Sequence, residues 1–452
     1  MLTRREDHQQ EWHTITLDAL VPAEHLLRKV VEIVDFGFIY EAVESLYSTI
    51  GRPSIDPVML VKYLLIGYLY GIESERRIEQ EIQVNMAYRW FLGLGLTERV
   101  PDHSTISQNR RRRFDGQNLF RKLFEHVLFQ CLERGLVGGR LILTDSTHVK
   151  ANASKGSLYR VSVEQEAAWY MERLDAYESQ ERERLGLSEP KRKESKSEPK
   201  FVEKTISVTD PDSGYLSRPG KPSGMHYLSH QSLDAKNAVI VDVAVTPGNV
   251  TDHVPYLDRI DYMREEIGLP IEAVGVDSAY DIALVHQALS DQNIEIYTPE
   301  NDETSNYKVE FTRDAFRYDE ESDTFICPAG CCLTVKRLER GDGKISREYR
   351  AKRSDCKGCP LQGKCLAPSQ TSRRIQINIF EKAIWRNHER DGTATHKRIL
   401  DLRQIWCEGT FAAQKERHNL RRLFRRGLQA AEDHCLLSAT AMNLKRMVKC
   451  LG

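Results

Sequence analysis

Short apolar runs that each stop at a carboxylate, separated by helix-patterned segments, constrain this chain more than any other feature. Leu141, Ile142 and Leu143 make one such run, closed by Asp145, and Ala273 to Val276 make another, closed by Asp277. Between them, Tyr227 to Leu233 and Ala238 to Thr246 flank the turn Asp234, Ala235, Lys236, Asn237, which predicts an antiparallel hairpin. Helices are expected over His253 to Glu266 and Ile282 to Ser290, and a strand over Ile294 to Tyr297. Strands alternating with helices bury their apolar faces together only in a mixed α/β sheet, so α/β is the expected fold class.

The flanks read differently. Residues 1–137 are expected to be an all-helical domain: Pro57 opens a helix, Ser74 caps a second over Ser74 to Val84, and a third spans Ser104 to Phe114. That third helix ends in Arg110, Arg111, Arg112 and Arg113, a run that either contacts DNA, with Arg110 and Arg111 as the candidate residues, or is a solvated helix face. Val161 to Leu185 predicts an exposed helix, and 186–205 is so rich in Lys, Glu, Ser and Pro that it reads as a linker. Leu400 to Leu423 predicts one long helix and Ala430 to Val448 a last amphipathic one. With 452 residues, two to four structural units are expected. The reading divides them as 1–137, a core first part at 138–299, a cysteine-bearing insertion at 300–375 and a core last part at 376–452.

Charge matters here by its distribution. Lys plus Arg number 65 and Asp plus Glu 66, a net charge of -1, so a nucleic-acid surface must come from local segregation. From Arg403 to Arg426 seven basic residues stand against two acidic ones. Arg403, Lys415, Arg421 and Arg422 are candidate phosphate contacts there; the alternative is a basic helix C-terminus complementing its own dipole. Lys150 and Asn152 follow Asp145 closely enough to approach a phosphate or simply to shape a loop. The longest apolar stretch, Val58 to Ile72, is interrupted by Lys62 and falls short of the ~20 residues that span a bilayer, so no membrane association is expected. The first twenty residues show no leader, which makes the expected location cytoplasmic, on the nucleoid when DNA is bound.

Glu408 shares a helix face with Phe411 and Lys415. Asp145, Asp277 and Glu408 together offer oxygen ligands for a pair of Mg²⁺ (or Mn²⁺) ions, which would promote in-line cleavage and transfer of phosphodiesters. Among 66 acidic residues such placements also arise by chance; Asp234 fits a hairpin turn, and Asp242 and Asp252 compete for a catalytic role.

Cys327, Cys356, Cys359 and Cys365 give a CPxG turn, then a CxxC with a further cysteine six positions on. Four thiolates suit a structural Zn²⁺, and a polar insertion without an obvious core would need that metal to fold. Cys331 and Cys332 are spare ligands; free thiols and an iron–sulfur cluster are the other readings.

The runs LTDSTHVKANASKGS (Leu143 to Ser157), VGVDSAYD (Val274 to Asp281) and WCEGTFAAQKERHNLRRLFRRGL (Trp406 to Leu428) resemble the three acidic motifs of bacterial insertion-sequence transposases of the DDE class. Gly51 to Ile82 and the run PDHSTIS (Pro101 to Ser107) resemble their InsH-type N-terminal domain. The resemblance implies an RNase H-like core with Asp145, Asp277 and Glu408 as metal-binding triad, and a zinc-ribbon-like insertion, since one branch of these enzymes carries cysteines before the Glu. It further implies cleavage at transposon ends and strand transfer into target DNA, with the terminal inverted repeats as DNA partner and a homodimer or higher oligomer as the acting species. A regulator without catalysis and a nuclease without strand transfer are the alternatives. Glu408 and Lys415 keep the family's six-residue gap, but the tyrosine and arginine that often precede the Glu are replaced by Asp401 and Gln404, with Arg403 one residue out of register.

Overall fold

The structure, a computed structural model, describes residues 14–48, 50, 54–164, 170–188, 201–217, 223–300, 310–341, 344–367 and 369–451. The stretch expected as a linker lies outside the described residues over 189–200. Eight helices come first: α1 (Leu17–Leu20), α2 (Leu26–Ile33), α3 (Phe38–Val43), α4 (Pro57–Tyr70), α5 (Glu75–Val84), α6 (Met86–Leu92), α7 (His103–Asn109) and α8 (Leu119–Glu133). Then follow β1 (Leu141–Lys150), β2 (Leu158–Glu164), α9 (Tyr170–Arg184), β3 (Phe201–Ser207), β4 (Gly214–Leu216), β5 (Gly224–Asp234), β6 (Ile240–Pro247), α10 (Tyr256–Glu265), β7 (Ala273–Gly275), α11 (Ala283–Asp291) and β8 (Glu295–Tyr297). The cysteine-bearing region holds β9 (Arg317–Asp319), β10 (Thr324–Ile326), β11 (Cys332–Gly341), β12 (Lys344–Arg350), α12 (Arg353–Cys356), α13 (Gln362–Cys365) and β13 (Arg374–Asn378). The chain closes with α14 (Glu381–His388), α15 (Ala394–Arg403), α16 (Gly409–Arg417) and α17 (Leu428–Leu451). The fold class is thus mixed α/β. No described helix is long and apolar enough to cross a membrane.

Two compact units result, each assembled from separate stretches of chain: Met1–Tyr159, Thr205–Val250 and Arg403–Gly452 in the first, Arg160–Lys204 and Thr251–Leu402 in the second.

In the first unit, α4 starts as the sequence predicts. Asp56 accepts the Met59 N–H, Pro57 occupies the first turn, and Gly71 ends the helix with a left-handed φ of 67°. Its residues from Leu60 to Leu69 are buried almost all round, apart from Lys62, which explains a 14-residue apolar helix too short for a membrane: it is the centre of the helical core. A Cβ on Gly71 would stand 3.1 Å from the Arg417 carbonyl oxygen, so α4 and the end of α16 approach backbone to backbone. The strand β5 is the spine of the sheet in this unit. It pairs antiparallel with β1 on one edge (Asp145 opposite Gln231) and with β4 and then β6 on the other. The expected hairpin is present, and Asp234 has the turn role foreseen for it, accepting N–H bonds from Gly138, Gly139 and Lys236. Helix α17 packs on α8 and β6, where the Asn443 side chain accepts from Ile240 N (2.9 Å) and donates to Ile240 O (2.8 Å).

In the second unit, β7 and β8 pair in parallel, with α10 and α11 as their helical neighbours in sequence. The cysteine-bearing region folds as a five-stranded antiparallel sheet in the order β13-β12-β11-β10-β9. The expectation that it lacks a core is overturned: Phe316, Phe325, Leu333, Tyr349, Ala351, Ile375 and Ile377 form a buried apolar cluster. Alternation along short strands hides these residues among charged ones.

Three local expectations also change. Strand β1 runs through the polar residues up to Lys150, so Asp145 lies within the strand rather than after it. The segment expected to be helical from Val161 lies in strand β2 up to Glu164, and helix α9 covers Tyr170–Arg184. The long helix over Leu400 to Leu423 is interrupted twice, by a π-turn over Gln404–Glu408 and by its end at His418.

Candidate active site and cysteine cluster

Side chains alternate along a strand, so Asp145 and Thr147 project from the same face of β1. Two cations from the α15–α16 segment reach that face. Arg403 Nη1 lies 3.0 Å from Asp145 Oδ2, and Lys415 Nζ donates to Thr147 Oγ1 at 2.5 Å. Asp145 Oδ1 takes the Ser146 N–H at 2.7 Å. The segment that carries Glu408 is therefore fastened across the Asp145 face at both of its ends.

The π-turn explains how Arg403 takes this place. In a regular α-helix a residue five positions before Glu408 would point away from it; an i→i+5 turn absorbs one extra residue and returns Arg403 to the same side. Glu408 itself is exposed, whereas its neighbour Cys407 is fully buried. Burial pushes the Cys407 thiol up, and the negative charges of Asp145 and Glu408 add to the shift while Arg403 and Arg446 oppose it. Cys407 thus lies within the field of both carboxylates. Asp277 belongs to the second unit. It follows β7, caps the turn Ser278–Tyr280, and accepts the Ser278 N–H at 2.7 Å.

The remaining candidates divide by exposure. Arg421 and Arg422 are exposed beyond the end of α16, and Arg421 donates to the Lys415 carbonyl. Lys150 is exposed too, but its backbone is bound on both sides, N–H to Arg421 O and carbonyl to Leu423 N–H. Asn152 fastens the same strip by donating to Phe424 O at 2.8 Å, which favours its loop-shaping role. Arg110 turns inward: it is 8 % exposed and paired with Glu75 at 2.5 Å, and only Arg111 and Arg112 of the run face solvent fully. Asp242 is likewise committed, buried beside Arg121. Thr147 escaped the sequence reading because a threonine signals no role without its neighbours.

In the second unit Cys327, Cys331, Cys356, Cys359 and Cys365 line one small cavity against the apolar cluster, while Cys332 is exposed at the start of β11. A tight turn brings the Cys331 N–H to 3.3 Å from Cys327 Sγ. Burial raises the Cys331 and Cys365 thiols, and the neighbouring sulfurs raise them further.

A helical N-terminal part, a mixed α/β core and a carboxylate flanked by Arg and Lys are now in place. Two family models agree in kind: Transposase domain (DUF772) matches residues 15–112, and Transposase DDE domain matches residues 326–448. Over these two stretches the chain therefore carries a transposase domain and a transposase DDE domain, as its motifs suggested. The second match includes the cysteine cluster and Glu408. A solved structure described as "Mos1 transposase paired-end complex with left transposon end" is similar at 10 % identity and a TM-score of 0.17, over 55 % of this chain and 61 % of that one. This chain thus spans about three fifths of that neighbour's length. No curated relative matches.

Proposed function

We propose that the protein is a DNA transposase of an insertion sequence, cutting at transposon ends and transferring the strands to target DNA from an RNase H-like core. The observation that carries this reading is the Arg403–Asp145 and Lys415–Thr147 pair of fastenings, which sets the Glu408 segment across the Asp145 strand. Asp145, Asp277 and Glu408 are the carboxylates that would hold two Mg²⁺ ions. All three offer hard oxygen donors, and the guanidinium on Asp145 shows that this carboxylate is already compensated by positive charge. Bound there, the ions would activate a water or 3′-hydroxyl and stabilise the leaving oxygen.

The chain's own residues do the rest. Arg403 orients Asp145. Lys415 ties α16 to β1. Arg421, Arg422, Lys150 and Arg111 are the exposed cations that bind phosphates, and their grip weakens with salt as counterions are retained. Cys327, Cys356, Cys359 and Cys365 would hold a structural Zn²⁺, with Cys331 able to replace one of them; the apolar cluster beneath them means the metal would stiffen this region rather than create it.

The test uses labelled terminal repeats and Mg²⁺ with purified protein. Asp145→Asn, Asp277→Asn and Glu408→Gln are each expected to abolish cutting while DNA binding by gel shift is largely kept. Full cutting by any one variant removes that residue from the triad. Nicked but unjoined products would point to a nuclease, and shifted but uncut DNA to a binding protein.

A further inference from the structure

The turn after Asp277 leads into a cluster of side chains that the reaction above does not use. Asp281 closes that turn, donating its N–H to Ser278 O at 3.1 Å. His286 lies on α11 and His388 at the end of α14, and these two helices pack together. One ligand atom from each of the three residues falls within 4.8 Å of the others. His286 Nε2 is 2.7 Å and His388 Nε2 3.8 Å from the same oxygen, Asp281 Oδ1. The far sides of both rings are held as well. His388 Nδ1 meets Asp391 Oδ2 at 2.5 Å, and Asn387 Nδ2 donates to His286 Nδ1 at 2.9 Å while its Oδ1 takes Arg390.

We propose that Asp281, His286 and His388 form a binding site for a transition-metal ion of the Zn²⁺ class, made from residues outside both the catalytic carboxylates and the cysteine cluster. Two imidazoles and one carboxylate favour Zn²⁺, Co²⁺ or Ni²⁺ over Mg²⁺, which prefers oxygen alone. Three protein ligands leave a fourth position for water. A proton on His388 Nδ1, held by Asp391, leaves the Nε2 lone pair facing the cluster; a carboxylate behind a ligating histidine is how such rings are usually fixed. His286 carries its proton on Nε2 in this arrangement. Metal binding requires that proton on Nδ1 instead, and Asn387 can accept it by turning its amide over, at the cost of the bond that Arg390 now donates to Asn387 Oδ1. His286 is 1 % exposed and Asp281 10 %, whereas His388 is 29 % exposed, so the ion would enter past His388. Once bound it would tie α11 to α14 and stiffen the Ser278–Asp281 turn.

Metal ions bound per full-length chain are counted after equilibration with Zn²⁺ alone, in the wild type and in His388→Ala and Asp281→Asn. Each variant is expected to lose one equivalent. Asp281→Asn keeps a bond acceptor for His286, so it serves where His388→Ala does not fold. Asp391→Asn, which touches only the outer side of His388, is expected to weaken that ion by about 10–100-fold. With Co²⁺ as the probe, the absorption lost in the variants should contain ligand-field bands without sulfur-to-cobalt charge transfer, which distinguishes this ion from one at the cysteines. Equal stoichiometry and affinity in wild type and both variants would overturn the site. Loss of a sulfur-to-cobalt band in His388→Ala would overturn it too.

Discussion

Arg403 decides the state of Asp145. Their side chains are only 12 % and 19 % exposed, so removing the guanidinium takes a close positive charge away from a partly desolvated carboxylate. Arg403→Ala is expected to lower stability by about 1–3 kcal/mol, and Arg403→Lys by less, as read from urea midpoints. Equal midpoints for all three proteins would show that the pair carries no weight. Three other buried groups shift strongly in the pH range below 6.5. Burial lowers His418 and His434 to about 4 from 6.5; His418 donates from Nδ1 to Tyr68 O, and His434 bridges the Tyr68 hydroxyl and Asn419 O. Because the unfolded chain protonates these rings first, stability is lost as pH falls from 6.5 towards 4, up to about 3 kcal/mol for each. Asp433 has the opposite sign. Burial raises it to about 6 from 3.8, against the pull of Gln429 and Arg425 and with Asp115 and Glu432 adding to it, so acidification from 6 to 3.8 restores stability. His226 and His253, also lowered by burial, act in the same direction as His418 and His434, so a net decline is expected below pH 6.5. Asp433→Asn should make it steeper, and an unchanged slope in urea melts from pH 7.5 to 4.5 would refute the assignment.

Between residues and the molecule stand the elements, and here the π-turn makes a checkable claim. Ile405, on the turn, is 62 % exposed, so deleting it should let Gln404–Glu408 relax into a regular α-helix with Arg403 still facing Asp145. Deleting Ala412 from α16 instead should rotate Lys415 away from Thr147. Thermal melts are expected to show the first deletion tolerated within a few degrees and the second markedly less stable; the reverse order would remove the turn's proposed role. The same segment shows what the sequence could and could not reveal. Pro57 announces the start of α4 because first-turn chemistry is local. The break after α16 has no such signature. Asn419 adopts a left-handed φ of 61° because its side chain donates to Gly67 O and Ile72 O, partners about 350 positions away. Strand β1 continues through polar residues because β5 supplies its hydrogen bonds, and Arg403 appears out of register because a π-turn leaves no mark in composition. The three acids were legible as candidates; the bonds that fasten Asp145 and the Glu408 segment were not, since Thr147 and Cys407 are ordinary core residues until their neighbours are known.

For the whole molecule, a net charge of -1 means that DNA affinity rests on where the cations stand. Arg421→Ala and Arg422→Ala are each expected to reduce the slope of log affinity against log salt by about 1, leaving the sequence preference of binding unchanged. An unaltered slope would take these residues out of the interface. The first unit also has an order of assembly written into it. Its sheet spine β5 lies between stretches of the second unit in the chain, and Tyr68 in α4 finds its bond with His434 in α17, 366 positions later. A ribosome delivers residue 68 long before residue 434, so the helical core must wait, incompletely covered, for α17 to emerge. A polypeptide released before Arg403 would lack Glu408 and the helix that seals the core at the same stroke. Premature release is therefore expected to yield unstable fragments open to proteolysis rather than a folded chain that lacks only Glu408.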